Sequence, residues 1–257
     1  MNREKYRAEV DSVSFSPDFQ ARTVARLTEL AREKEKKTMK KLNVRTALVA
    51  AAVAAALTVT AFAAVVMLRP QDVAQRAGNH ALAAAFEQGD AIVVNETKTM
   101  GDYQVTLMGL ATGEALNQVD GLDASGTYAV LAYARIDGTP ITDDVPELTV
   151  SPLVEGYAPW RVNAWTLNGS AHTFAQDGIL YCLLECDEVE PFADHTVYMA
   201  VYLGANMPPS AGEFDFDEAT GAISAKEGAD AALFALPLDP AKADAGKVQT
   251  ILEGMPW

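Results

Sequence analysis

Apolar residues along the chain follow three different patterns in turn. Between residues 17 and 37 they recur at helical spacing. Ser16-Pro17-Asp18 starts this helix: Ser16 caps, Pro17 suits the first helical position, and Asp18 complements the positive end of the helix dipole. Phe19, Val24, Leu27, Leu30 and Ala31 then gather on one side, with Arg22, Arg26, Glu29 and Glu33 elsewhere. So small a stripe cannot build a core of its own. It needs a partner or a surface.

From Ala47 to Leu68 the pattern becomes continuous. These 22 residues carry no charge and include ten Ala, five Val and three Leu. A helix of this length spans roughly 33 Å, enough for a hydrocarbon core of about 30 Å. It has no polar face to turn to solvent. Pro70 disfavours helix at Arg69, so the run ends or kinks there. Residues 71–88 return to helical spacing, with Val73, Ala77, Leu82 and Phe86 apolar and Gly89 as the stop.

From Ala91 the period becomes two. Strands are expected at 91–97 and 103–110 around Met100-Gly101-Asp102, then at Thr127–Ile136, Leu148–Val154, Trp160–Leu167, Ala171–Gln176, Ile179–Cys186 and Thr196–Leu203. Asn168-Gly169 and Asp177-Gly178 read as hairpin turns. Phe214–Asp217 and Ala222–Ala225 flank another turn, and Ala232–Leu236 is a last short strand. The stretch Tyr128–Ala134 should be a central strand; an Asp in place of Leu131 would bury an unpaired charge if that residue faces inward. Asp239–Leu252 reads as a closing helix, capped by Asp239 with Pro240 first. Many short strands without alternating helices predict a mainly β, antiparallel sandwich.

Charge divides the chain at the apolar run. Residues 1–45 hold twelve Lys/Arg against seven Asp/Glu, whereas residues 69–257 hold eight against twenty-eight. The cluster Arg32, Lys34, Lys36, Lys37, Lys40, Lys41 and Arg45 precedes the run. The positive-inside rule therefore predicts a cytoplasmic N-terminus and an exported C-terminal part. A second reading stays open. From Met39, a basic start, an Ala-rich run and Ala61-Phe62-Ala63 also fit a cleaved secretory signal. The acidic C-terminal part argues against nucleic acid as a partner.

Candidate chemistry is sparse. Cys182 and Cys186 lie four apart in one expected strand, about 13 Å between α-carbons and beyond the roughly 7 Å reach of a disulfide. Two free thiols are expected, in part buried. His80, His172 and His195 are scattered and form no metal motif. Asp215-Phe216-Asp217-Glu218 begins like a calcium loop, but Ala219 stands at the next ligand position, so a turn is expected. The run Glu185-Cys186-Asp187-Glu188-Val189-Glu190 reads as a solvated acidic loop. Trp160 and Trp165, five apart on one expected strand, should face opposite ways, one into the core and one outward. No catalytic residue, cofactor or metal ligand is assigned.

Several stretches carry a family resemblance. They are Gly101–Leu107, Gly126–Val130, Gln176–Tyr181, Glu190–Asp194, Phe216–Ile223 and Ala232–Asp239. With the basic arm and the apolar run, they resemble an uncharacterised family of clostridial (Firmicute) single-pass membrane proteins that look like anti-sigma factors. The resemblance implies an immunoglobulin-like ectodomain of unknown function and no site residues to carry over. This chain lacks the His-x-x-x-Cys-x-x-Cys signature of zinc-binding anti-sigma domains.

The expected organisation is a cytoplasmic arm at 1–45, a transmembrane helix at 46–68, an extracytoplasmic helical linker at 69–90 and a β-sandwich ectodomain at 91–257. The expected function is a membrane-anchored envelope sensor or regulator rather than an enzyme. Its arm would hold a cytoplasmic partner such as an extracytoplasmic-function sigma factor through Phe19, Val24, Leu27 and Leu30. Its ectodomain would meet an unidentified extracellular ligand. The alternative is a surface-anchored or secreted binding module with no cytoplasmic partner.

Overall fold

The computed structural model describes residues 67–257 apart from 89–90, 114–115, 117–118, 124, 143–144, 206–208, 210–211 and 256–257. The expected arm helix with Phe19, Val24, Leu27 and Leu30 lies outside the described residues, as does the apolar run up to residue 66. Among the described residues no helix is long and apolar enough to cross a membrane.

The chain enters through Met67–Arg69 without regular structure. The Leu68 N–H donates to Tyr181 Oη at 3.0 Å. Helix α1 (Pro70–Arg76) starts on proline, and Asp72 reaches back to the Arg69 N–H at 3.2 Å. The Arg69 guanidinium holds the Asp72 carboxyl below its usual range. Gly78, at φ +82°, ends this helix. Asn79 then caps α2 (His80–Gln88), its Oδ1 accepting from the Leu82 N–H at 2.9 Å. The single helix expected over 71–88 is thus two, because Gly78 and Asn79 offer a left-handed exit and a new cap.

Five strands form the larger antiparallel sheet: β1 (Ile92–Met100), β2 (Tyr103–Thr112), β3 (Gly126–Arg135), β5 (Ser170–Gln176) and β6 (Ile179–Asp187), in the order β1-β2-β3-β6-β5. The smaller sheet has the order β10-β7-β4, from β10 (Ala231–Ala235), β7 (Val197–Leu203) and β4 (Leu148–Val154). A separate hairpin joins β8 (Phe214–Phe216) to β9 (Ile223–Ala225). The chain is therefore mainly β and antiparallel, as its period-two pattern predicts.

The main core lies between the two sheets. Leu131 and Tyr133 from β3, Leu180, Cys182 and Leu184 from β6, and Met199 and Val201 from β7 meet there with Phe192 and Phe234. β3 is the middle strand of its sheet, and Leu131 faces inward with no exposed surface. A bulge between Leu107 and Gly109 lets β2 send Leu107 and Leu110 to this core while Met108 and Ala111 face the opposite side.

That opposite face is covered by α1 and α2. Val73, Leu82 and Phe86 pack on Met108, Val130, Tyr181 and Leu183. At Gly109 a Cβ would fall 2.9 Å from the Phe86 ring, so the helices sit where only a glycine lets them approach. The segment expected as a linker is therefore a layer of the folded domain. On the far side, the β8–β9 hairpin lays Phe214 and Ile223 over Leu153, Ala200 and Tyr202.

Two further expectations are corrected. Trp160–Leu167 is a series of turns and not a strand. Its alternation is real, but Asn163 and Thr166 capture the backbone. Asn163 Oδ1 accepts from the N–H of Trp165 at 2.9 Å and of Thr166 at 3.3 Å, and the Asn163 N–H donates to Thr166 Oγ1 at 3.0 Å. Asn168-Gly169 consequently leads from this loop into β5 and joins no hairpin. The closing helix is also split. A 3-10 turn at Pro240–Lys242, capped by Asp239, precedes α3 (Ala245–Gly254), whose cap is Asp244. Val248 of α3 closes one end of the main core.

Two stability outcomes follow from this packing. A fragment of residues 67–257 should be more stable than one of 91–257 by several kcal/mol, because burying each of Val73, Leu82 and Phe86 contributes about 1.5–3 kcal/mol. Equal melting temperatures would contradict the helical layer. Second, Tyr133 Oη is buried with no hydrogen-bond partner. Tyr133→Phe should raise stability by about 1–3 kcal/mol in urea titration, since it removes an unsatisfied hydroxyl while keeping the ring.

Candidate functional site

A polar cavity of about 230 Å³ opens at one end of the larger sheet, lined by Asp123, Ser125, Gly126, Asn168, Ser170, Glu185, Cys186 and Asp187. Three segments converge there: the turn before β3, the entry to β5 and the end of β6. The register Gly126↔Asp187 and Ser170↔Glu185 brings them together.

Each carboxylate of the cavity is already engaged. Asp123 accepts from the Ser125 hydroxyl at 2.6 Å and the Ser125 N–H at 2.9 Å, and these bonds hold it below the usual carboxylate range. Glu185 accepts from Tyr128 Oη at 3.0 Å. Burial, reinforced by Glu185, pushes the Tyr128 hydroxyl up to about 12. Asp187 accepts from Asn168 Nδ2 at 2.7 Å. Asn168 holds that position at φ +51°, a left-handed conformation that Asn tolerates better than most residues. Among the described residues no three His, Cys, Asp or Glu side chains gather so as to hold a metal ion. What the cavity offers is acceptors for a hydroxyl-rich or cationic group.

The acidic run leading out of it is not a free solvated loop. Glu188 pairs with Lys247 of α3 at 3.2 Å, and Glu190 with Lys242 at 3.2 Å. Asp217, in the segment resembling a calcium loop, accepts from the Thr220 hydroxyl at 2.8 Å and the Ala219 N–H at 2.9 Å. It is the turn residue that the sequence predicts, held below its ordinary range by the Thr220 hydroxyl first.

The second feature is aromatic. Trp160 and Trp165 are 45 % and 52 % exposed, so neither is a core residue. The expectation of one in and one out fails because the segment is not a strand and has no alternating faces. Trp160 packs edge-on against Phe216 of the β8–β9 hairpin, ring centroids 5.9 Å apart. The turn network of buried Asn163 fixes the backbone beneath both, with Nδ2 donating to the Pro159 carbonyl at 3.0 Å. Two large rings on a pinned loop present apolar area at small entropic cost.

The sequence placed neither feature. The cavity residues come from three separate stretches, and nothing local marks their convergence. The tryptophans were visible as residues, but their exposure depends on Asn163 and Thr166 breaking the strand pattern. Comparison of the chain with protein families, with curated proteins and with solved structures finds no match.

Cys182 and Cys186 are both free and fully buried on the inner face of β6. Burial pushes the Cys182 thiol up to about 12. Cys186 is raised too, by burial first and then by Asp187 and Glu185. The folded state therefore keeps these protons while the unfolded chain loses them above its ordinary value of 9.0. The contribution of the two thiols to stability should be constant below about pH 9 and fall as pH rises further, by about 1.4 kcal/mol per pH unit for each thiol. Urea midpoints measured from pH 8 to pH 10 should show this fall, with a shallower slope in Cys182→Ala. A flat profile would mean that the thiols reach solvent.

Proposed function

We propose that this protein is a membrane-anchored sensor or regulator of the cell envelope. The β-domain stands outside, and the N-terminal arm holds a cytoplasmic partner. The observation that carries the reading is the uncharged run of 22 residues set between a basic and an acidic segment. Such a run partitions into a bilayer, and its flanks orient it with residues 1–45 inside. The arm supports the regulatory half of the proposal. The capped helix that the sequence predicts over residues 17–37, bearing Phe19, Val24, Leu27 and Leu30, could not bury its own stripe, and a helix-in-groove partner would complete it. An extracytoplasmic-function sigma factor is the partner that the family resemblance implies. The same resemblance makes the two-sheet domain immunoglobulin-like. No cofactor and no catalysis enter this reading.

A second reading has its own observation. Exposed Trp160 and Trp165 suit a surface that binds a ligand, so the chain would be a surface-anchored or secreted binding module, and the arm would serve export alone.

Deletion of residues 1–31, with the apolar run and the β-domain kept, separates the two. Under the regulatory reading it should raise transcription from promoters of the partner sigma factor, and Leu27→Asp with Leu30→Asp should do the same. A reporter fused to the C-terminus should be active only when exported. An unchanged transcriptome, together with no protein captured by the arm, sinks the regulatory reading in favour of the binding module.

A further inference from the structure

We propose that β5 is a self-association edge, pairing antiparallel with β5 of a second copy of this chain about a two-fold axis at Thr173.

An unprotected sheet edge invites another strand, and folded proteins usually guard theirs. Among the described residues, three of the four edges of the two larger sheets are guarded. β1 has a register shift between Val93 and Glu96, with Asn95 at φ +52°. Its Lys98 ammonium turns to the Leu233 carbonyl of β10 and sits 5.2 Å from the Phe234 ring centroid, closing the β10 edge. β4 carries Pro152, which has no N–H to offer. The 155–169 loop lies along β4, with the Ala164 N–H donating to Ser151 Oγ at 2.8 Å. β5 has none of these devices. Ser170-Ala171-His172-Thr173-Phe174-Ala175-Gln176 contains no Asp, Glu, Lys, Arg, Pro or Gly, and its ladder to β6 is unbroken from Ser170↔Glu185 to Gln176↔Ile179. Its residues are exposed except Phe174 and Gln176, which are half-buried.

The backbone decides which groups are free. Asp177 and Gly178, at φ +53° and +81°, form the two-residue turn with both central residues left-handed. The residues flanking such a turn, Gln176 and Ile179, share hydrogen bonds. By alternation His172 and Phe174 also direct theirs to β6. Ala171, Thr173 and Ala175 therefore direct N–H and C=O outward.

A two-fold axis at Thr173 pairs these outward groups with one another: Thr173 with its copy, and Ala171 with the copy's Ala175 on either side. That makes about six backbone hydrogen bonds. The side chains match as well. His172 faces the copy's Phe174, an aromatic pair repeated on both sides of the axis, beside the Tyr181 ring that stacks on Phe174 at 5.5 Å. Asp177 falls opposite the copy's Gly169, so no carboxylate meets a carboxylate in a chain of net charge −15. An axis moved to His172 or Phe174 would draw the Gly169 or Asp177 turn into the ladder. The strand is thus complementary to itself, which selects a second copy over an unrelated strand. Edge pairing buries little surface, so the dimer should be weak and concentration-dependent.

Register-specific cross-linking of the full-length protein tests this. Thr173→Cys, Ala171→Cys and Ala175→Cys would each be treated with a short bis-maleimide, with Ser224→Cys on exposed β9 as control and the buried native thiols as silent background. Thr173→Cys alone should give a covalent dimer several-fold above the control. Ala171→Cys and Ala175→Cys should cross-link well only when mixed with each other. Equal yields at all four positions, or a Thr173→Cys yield no higher than Ser224→Cys, would overturn the proposal. So would capture of an unrelated protein at Thr173→Cys in place of the dimer.

Discussion

The central pair β3–β6 carries apolar side chains on both faces, so neither face can be left to water. Inward residues such as Leu131 and Leu184 require a second sheet, and β10-β7-β4 supplies it. Outward residues such as Val130, Tyr181 and Leu183 require another cover, and α1 and α2 supply that. The smaller sheet repeats the logic, since Leu153, Ala200 and Tyr202 point away from the core and draw the β8–β9 hairpin over them. The result is a stack of four layers. Each is present because the one beneath has two apolar faces.

Local chemistry made much of this stack legible in the sequence. Gly101-Asp102, Asp177-Gly178 and Thr220-Gly221 mark their hairpins because the turn conformation demands residues that tolerate positive φ. The strands beside them could hardly be placed otherwise. Trp160–Leu167 misled because period-two alternation is necessary for a half-buried strand and insufficient to make one. One buried asparagine accepting two backbone N–H groups outweighs the pattern. The helices before β1 misled differently. Their apolar faces were evident, but a connector and a covering layer have the same amphipathic signature. Only the apolar outer face of β3 and β6 distinguishes them.

The candidate sites were less legible, because they arise from convergence between distant segments. Glu185, Asp187, Glu188 and Glu190 read as one acidic run, yet they pair with Tyr128, Asn168, Lys247 and Lys242, drawn from both earlier and later in the chain. Spacing along the sequence carries no information about such partners. The same holds for the cavity, which β3, β5 and β6 create only by ending at one level.

The acidic excess of the β-domain also acquires a cause beyond solubility. Many of its aspartates hold turns and helix ends. Asp123, Asp137 and Asp217 accept N–H groups two residues ahead. Asp239 and Asp244 cap the two helical pieces at the C-terminus. An aspartate serves in each place because an ionised acceptor makes a stronger bond to an N–H than a neutral one does. The charge is therefore built into the connections of a sheet fold with many short strands, and it accumulates at their ends. Strand bodies stay nearly free of it. Where such a strand lies at an edge that no other described residue covers, as β5 does, the backbone is left as the group that meets the surroundings, in a domain whose ends repel most anionic neighbours.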